Sequence, residues 1–366
     1  MRIIISGGGT GGHIYPALAT LNKLRALKPD TAVLYIGSER GLEGKIVPEA
    51  GYDFASVKVQ GFKRSLSPDN FKTVYLFLKA VHESERLIRK FKPDVVVGTG
   101  GYVSGPVVYA AQRLGIPTVI HEQNSVIGVT NRFLARKITK VGVAFPAALA
   151  AFKPNLATVV GNPRAQEVVE TNGKYDWQGL GLKAGQPTVL IFGGSQGALK
   201  LNHAMVDAIK VFNRSKYQVI FVTGAKRYAE VNEEITSKGI NVADNIAVVP
   251  YINNMPQLMP QVDLIVGRAG ATSIAEQTAL GKPMVLIPSP YVTNDHQTKN
   301  AQALVDVGAA SLITEANLTG GHLFDVINDL MQDADKRQAM AGAAKKIGVP
   351  NAADLFVNLI ESVIKE

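Results

Sequence analysis

The chain has 366 residues, more than one hydrophobic core usually holds, and its 46% apolar content and 35 glycines point to two α/β domains with many tight loops. It has no cysteine, which excludes disulfides and thiolate metal sites. The net charge of +9 favours anionic partners. Against nucleic acid, the basic residues are dispersed, and neither zinc-finger spacing, an aromatic RNA-binding signature nor a basic tail is present.

In chain order, strand-like runs alternate with helical stretches. The first run, Ile3 to Ser6, passes straight into the glycine loop of IIISGGGTGGHIYPALATL, which leaves no room for a secretory signal. No apolar run has the length of a membrane span, so a cytoplasmic protein is expected. Further runs follow at Val33 to Gly37, Asp94 to Gly98 and Thr118 to His121. After a proline- and glycine-containing stretch between Gly161 and Pro187, they resume at Val189 to Phe192, Val219 to Thr223, Leu264 to Gly267 and Met284 to Pro288. The alternation predicts parallel α/β sheets. TVLIFGGSQGALKLNHAMV repeats the opening pattern, and KPDVVVGTGGYVSGP is echoed by QVDLIVGRAGATSIAE. Two doubly wound Rossmann-like domains facing across a cleft are therefore expected. The boundaries are drawn at 1–162 and 163–349, with the helix of about 350–366 packing back on the first domain through Leu355, Phe356, Leu359, Ile360 and Ile364.

Each glycine entrance gathers backbone amides at a helix start, an arrangement that binds phosphate. Gly7, Gly9 and Gly12 also satisfy GxGxxG, with Glu39 near the end of the second strand, so an NAD-type oxidoreductase is one alternative. A close helix-strand turn without ligand is another. His13 follows the first loop where it can take a proton from an attacking hydroxyl, with Pro16 expected in the first helical turn. HEQN, His121 to Asn124, falls at the carboxyl edge of a strand and can orient sugar groups, or cap a helix through Asn124 or Ser125. Thr272, Ser273 and Glu276 start a later helix suited to phosphate and hydroxyl groups. Thr272 can instead be a simple cap. Gln297 and Asn300 lie in a polar stretch suited to sugar hydroxyls.

Taken together, GGGTGGHIYPALA, GTGGYVSGP, HEQN, GNPR, GGSQGA, GRAGATSIAE and HQTKNA resemble the bacterial MurG family of peptidoglycan N-acetylglucosaminyltransferases. The resemblance runs from Gly7 to Ala301 and implies a GT-B fold. It implies UDP-N-acetylglucosamine as donor, undecaprenyl-diphosphate-linked N-acetylmuramoyl peptide (lipid I) as acceptor, and an inverting transfer that gives lipid II. By the same resemblance the first domain takes the acceptor and the second the donor. Thr10, Gly11 and Gly12 would surround the diphosphates, and Asn124 would position the reacting sugars. Ser195 and Gln196 would meet the donor phosphates, Ile252 would border uracil, Glu276 would hold ribose and Gln297 the sugar. Tyr102, Glu122 and Asn202 would be acceptor-side or supporting residues. Arg164, beside uracil in this scheme, stands one position earlier than in members that read GNPVR.

His13 is the candidate base, with Glu122 as the second catalytic candidate. The Asp333 to Asp335 triplet reads as solvated surface, so no cofactor or obligatory metal is expected. A non-enzymatic UDP-sugar-binding regulator is the remaining alternative. Finally, Phe71, Val74, Tyr75 and Leu78 recur at helical spacing near Lys63, Arg64, Lys72 and Lys79. That stripe suits either a core face or peripheral attachment to anionic lipid on the cytoplasmic face of the membrane.

Overall fold

The computed structural model describes residues 1–61, 69–171, 173–194, 197–292 and 295–364. The chain forms two compact units, residues 1–166 with 351–366, and residues 167–350. In the first, the order is β1 (Arg2–Gly7), α1 (Gly11–Leu27), β2 (Ala32–Ser38), α2 (Glu43–Glu49), β3 (Phe54–Val57), α3 (Asp69–Phe91), β4 (Val95–Gly100), α4 (Ser104–Arg113), β5 (Thr118–Glu122), α5 (Val129–Leu134), β6 (Lys140–Val143), β7 (Ala157–Val159) and α6 (Pro163–Glu170). The second holds β8 (Thr188–Phe192), α7 (Leu199–Phe212), β9 (Gln218–Val222), α8 (Tyr228–Ser237), β10 (Ile246–Val249), α9 (Met255–Leu258), β11 (Leu264–Gly267), α10 (Ala271–Ala279), β12 (Met284–Leu286), α11 (His296–Val305), β13 (Ala310–Leu312), α12 (Gly320–Gln332) and α13 (Ala334–Ile347). The last helix, α14 (Ala352–Glu361), belongs again to the first unit.

Both sheets are parallel. Their strand orders are β3-β2-β1-β4-β5-β6-β7 and β10-β9-β8-β11-β12-β13, so each unit is doubly wound about a central pair, β1/β4 or β8/β11. At that pair the winding reverses, and the carboxyl ends of the strands open a crevice that helices do not fill. The expected runs correspond to β1, β2, β4, β5, β8, β9, β11 and β12. The structure adds β3, β6, β7, β10 and β13, each three or four residues long. Four of these five are the sheet edges, where strands are too short for a period of two to show.

The central strands are apolar throughout because both faces are covered. Ile3 and Ile5 pack with Ile14, Leu18 and Leu21 of α1 and with Phe356, Val357 and Ile360 of α14. Ile4 points the other way, into a core with Val107, Val108 and Ile120. The α14 helix is thus bound to the back of α1, reinforced by Lys23 to Asp354 at 3.0 Å and Lys28 to Glu361 at 2.7 Å. Removing a buried aromatic such as Phe356 costs about 3–5 kcal/mol in comparable cores.

The first unit ends inside α6. Gln166 donates from Nε2 to Asp354 Oδ2 at 2.6 Å and accepts from Asp354 N at 3.0 Å, which ties the start of α6 to the start of α14. One local expectation is corrected. The α1 helix begins at Gly11, so Pro16 is inside the helix and beyond the first turn. Having no N–H, it cannot give Gly12 O the ordinary helical bond.

Candidate active site

At the first switch point, β1 ends in a loop whose amides are partly spent within the protein. Gly8 N donates to Gly100 O at 3.3 Å and Gly9 N to Glu43 Oε2 at 3.1 Å. Thr10 is the extended N-cap of α1 and makes no side-chain cap bond. The first amides of α1 have no partner within the helix, so Gly11 and Gly12 present them at its positive end. The close packing of this loop needs glycine: a Cβ on Gly101 would lie 2.2 Å from Gly8 O. Tyr102, 40% exposed, lies against Gly9, and Tyr15 lies against Gly11. Arg164 belongs to this first unit, with its guanidinium carbon 5.5 Å from the centre of the Tyr15 ring.

His13, in the first turn of α1, is held at both ends by Thr99. The Thr99 hydroxyl donates to His13 O at 2.8 Å, and His13 Nδ1 bonds Thr99 O at 3.1 Å. A carbonyl only accepts, so Nδ1 carries the proton and Nε2 keeps the lone pair. Gln123 Nε2 donates to the same carbonyl. Burial lowers the imidazole's pKa below 6.5, against the raising effect of Glu122, Thr99 O, Gln123 and Glu43. The ring is therefore neutral near pH 7, in the form that takes up a proton.

Buried Glu122 is surrounded by donors. Its Oε1 accepts from Asn124 N at 3.1 Å and Asn124 Nδ2 at 3.4 Å, and its Oε2 from Gly128 N at 2.9 Å and Asn131 Nδ2 at 2.8 Å. Asn124 and Ser125 therefore cap no helix: α5 starts later, with Gly128 as its N-cap. His121 is fully buried, donates from Nε2 to Gly161 O at 2.8 Å and meets the Phe356 ring edge-on. Burial lowers its pKa to about 4, and it acts as a structural link.

At the second switch point two of the braces are neutral amide side chains, Asn202 and Asn300. In α7, Asn202 donates from Nδ2 to Thr223 O at 3.0 Å, and that carbonyl approaches Gly197 so closely that a Cβ there would stand 2.4 Å away. Asn202 is 1% exposed, so its side chain secures the glycine loop and has no surface for a ligand. Of the two expectations for Asn202, acceptor-side or supporting, the geometry fits the supporting one. Ile252 is buried in a core with Ile220, Val222 and Leu258, which leaves its backbone as the group available at the loop after β10. Gly270 is the N-cap of α10, so Thr272 is not a cap but stands in the first turn, and Glu276 follows one turn later. Asn300 donates to Ala269 O at 3.3 Å, and Gln297 Oε1 accepts from Ser289 N at 2.9 Å. That leaves the Gln297 amide nitrogen as its donor group.

Ser195, Gln196, Lys63 and Arg64 lie outside the described residues. Among the described residues, no group of three or more His, Cys, Asp or Glu is placed to hold a metal ion. Asp333 caps α13 by accepting from Lys336 N at 2.8 Å.

Sequence reasoning missed Thr99, Asn131 and Glu43 at the first switch point, and Arg268 at the second. Arg268 pairs with Glu315 at 2.9 Å and donates to Ile287 O and Pro288 O, both at 3.2 Å. Thr99 and Arg268 stand in the echoed glycine motifs, GTGG and GRAG, and that position was the usable signal. Glu43 had only the glycines around it.

Two Rossmann-like units with polar groups gathered at their switch points define a GT-B glycosyltransferase fold. The chain matches the glycosyltransferase family 28 N-terminal domain over residues 3–143 and the family 28 C-terminal domain over residues 188–356. It belongs to glycosyltransferase family 28 and, within it, to the MurG family. A Levilactobacillus brevis protein named UDP-N-acetylglucosamine--N-acetylmuramyl-(pentapeptide) pyrophosphoryl-undecaprenol N-acetylglucosamine transferase is 58% identical over 100% of both chains. The crystal structure of Acinetobacter baumannii MurG superposes with a TM-score of 0.76 at 29% identity, covering 99% of both chains. A UDP-N-acetylglucosamine 2-epimerase structure gives a TM-score of 0.72 at 13% identity, with 99% of this chain and 95% of that one covered. That last likeness is one of fold alone, and fold does not choose a reaction. The full-length family match disfavours the oxidoreductase alternative.

Proposed function

We propose that the chain transfers N-acetylglucosamine from UDP-N-acetylglucosamine to the 4-hydroxyl of the muramoyl sugar of lipid I, giving lipid II for peptidoglycan synthesis. The observation that carries this reading is the end-to-end identity of 58% with a relative that bears that activity in its name. In the reaction the muramoyl oxygen bonds to the anomeric carbon as the bond to UDP breaks, and the configuration inverts. The hydroxyl proton passes to His13 Nε2. The neutral, Nδ1-protonated ring supports this role. Glu122 acts through His13, since its oxygens are engaged by the loop and its charge favours the imidazolium that forms.

Thr10, Gly11 and Gly12 meet diphosphate at the start of α1, Asn124 orients the sugars, and Tyr102 flanks the acceptor. The second unit takes the donor: Ser195 and Gln196 at the phosphates, Ile252 at uracil, Thr272 at phosphate, Glu276 at ribose and Gln297 on the sugar side, while buried Asn300 holds the turn at Ala269. Arg164 is assigned to uracil by its motif. Charge on departing UDP is met by amides and hydroxyls. Incubation with labelled UDP-N-acetylglucosamine and lipid I should yield labelled lipid II, whereas UDP-glucose with diacylglycerol should give no product. Labelling of the second pair alone would refute the reading.

The protein works at the cytoplasmic face of the membrane as a peripheral enzyme. No helix among the described residues is long and apolar enough to cross a bilayer. On α3, however, Phe71 is 85% exposed, Tyr75 65% and Leu78 58%, an apolar face beside exposed Lys72 and Lys79. That combination suits shallow insertion among anionic lipids. Replacing Phe71 and Tyr75 by serine, with Lys63 and Arg64 by glutamine, should weaken sedimentation with anionic vesicles. Undiminished binding would reject this surface.

A further inference from the structure

Glu43 is a buried charged group at the first switch point that the transfer just described leaves unused. It is 0% exposed. Its Oε1 accepts from Ser38 N at 2.9 Å and from Ser38 Oγ at 2.6 Å, and its Oε2 accepts from Gly9 N at 3.1 Å. The backbone closes around it on two sides. A Cβ on Gly8 would lie 2.2 Å from Oε1, and one on Gly41 would lie 2.2 Å from either oxygen. The carboxylate therefore fills the space beneath the loop that leads from β1 into α1.

We propose that Glu43 is a positioning residue for glycosyl transfer: from beneath the loop it fixes Gly8 to Thr10, and thereby the start of α1 and the ring of His13. The inference rests on the reading of His13 as the base. Two features separate this role from ordinary bracing. First, Gly9 N is turned inward to the carboxylate, so this amide is withheld from any ligand and the peptide that precedes Thr10 is fixed. Second, both oxygens of the carboxylate accept bonds that a neutral amide, with one oxygen, cannot all keep, and the carboxylate also acts on the imidazole through space. The titratable groups that face His13 are Glu122 and His121 from β5 and Glu43 from α2. Glu122 and Glu43 favour its protonated form, while burial opposes it; His121, its pKa lowered to about 4, is itself neutral there.

The test compares Glu43→Gln and Glu43→Asp with Glu49→Gln, an exposed change on the same helix, and with His13→Ala. Calorimetric UDP affinity, kcat, and the pH profile of kcat/KM are measured for each. Glu43→Gln should bind UDP like the wild type while kcat falls roughly 10- to 100-fold, the scale of a small misplacement at a reacting centre. Its acid limb should move to lower pH, because losing a negative charge makes the imidazole less basic. Glu43→Asp keeps the charge, so it should lose part of kcat with the acid limb in place. Glu49→Gln should change nothing.

If Glu43→Gln does not fold, Ser38→Ala is read instead. It removes one donor to Oε1 and should lower kcat several-fold with UDP affinity intact; an unchanged kcat overturns the proposal. A Glu43→Gln enzyme that matches the wild type in kcat and acid limb also overturns it. So does one that loses UDP affinity and kcat equally with the acid limb unmoved. If His13→Ala transfers at a normal rate, the reading of His13 is what fails; if that variant is inactive while Glu43→Gln is normal, only the positioning role fails.

Discussion

The two switch points share a plan of strand, glycine turn and helix, yet they are built for different chemistry. At the first, two loop amides are already bonded, to Gly100 O and to the Glu43 carboxylate, and an imidazole is clamped to Thr99. At the second, Asn202 and Asn300 hold the glycine turns by their carbonyls, to Thr223 O and Ala269 O. Neither of these two side chains carries charge, and the one charged brace named beside them, Arg268, is paired with Glu315. The Glu43 carboxylate takes up the Gly9 amide and leaves the start of α1 to meet an anion, while the clamped imidazole suits a hydroxyl that must lose a proton. At the second point the charge of Arg268 is answered by Glu315, and the helix starts favour a nucleotide diphosphate. Shared architecture thus fixes where ligands bind, and buried side chains beneath the turns decide which kind.

The strongest way to break this contrast is to remove the imidazole. His13→Ala should reduce kcat by about 10²- to 10⁴-fold, the usual worth of a positioned base, with the KM for UDP-N-acetylglucosamine little changed. A large rise in that KM with kcat preserved would make the first point a donor site and erase the distinction. In the wild type, the rate should fall as pH drops through the His13 pKa, which burial holds below 6.5. An acid limb above that value would contradict a lowered pKa.

How far these differences could be read from the chain follows from the residues involved. Ile3 to Ile5 and Val189 to Ile191 are buried on both faces and flanked by glycine, so central strands and their turns were plain in one dimension. The edge strands were not, because a segment such as Ala157–Val159 is defined by pairing with β6 rather than by its own pattern. The same limit applied to the site. His13 was legible because it sits beside its glycine loop, whereas Glu43 reaches Gly9 across 34 positions of sequence. Asn202 read as an acceptor-side or supporting residue beside a phosphate loop, and only packing shows that α7 turns it inward to Thr223.

A smaller effect should mark the second point. Asn202→Ala leaves buried Thr223 O without its side-chain donor, a loss of about 1–3 kcal/mol, and it loosens the turn at Gly197. The expected result is a lower unfolding temperature and a higher KM for the donor, with the acid limb of the pH profile unmoved. Kinetic titration over the same pH range as for His13→Ala checks it directly. If Asn202→Ala instead shifted the acid limb, the two points would share the proton-handling role and the division drawn here would fail.

The smallest expected effect concerns the back of α1. Lys28 and Glu361 pair at 2.7 Å with side chains 52% and 32% exposed, so solvent screens them and the pair should contribute only about 0.2–1 kcal/mol. Phe356, Val357 and Ile360 are buried against the helix that carries His13, and their apolar packing, not the ion pair, holds α14 in place. Glu361→Gln should therefore lower stability slightly at low salt, and the difference from wild type should vanish at 1 M salt, where charges are screened within about 3 Å. Its kcat should stay at the wild-type value. A drop in kcat would mean that the first switch point depends on the charged edge of α14 as well as on its apolar face, and the contrast with the second unit would then extend through the whole thickness of the first sheet.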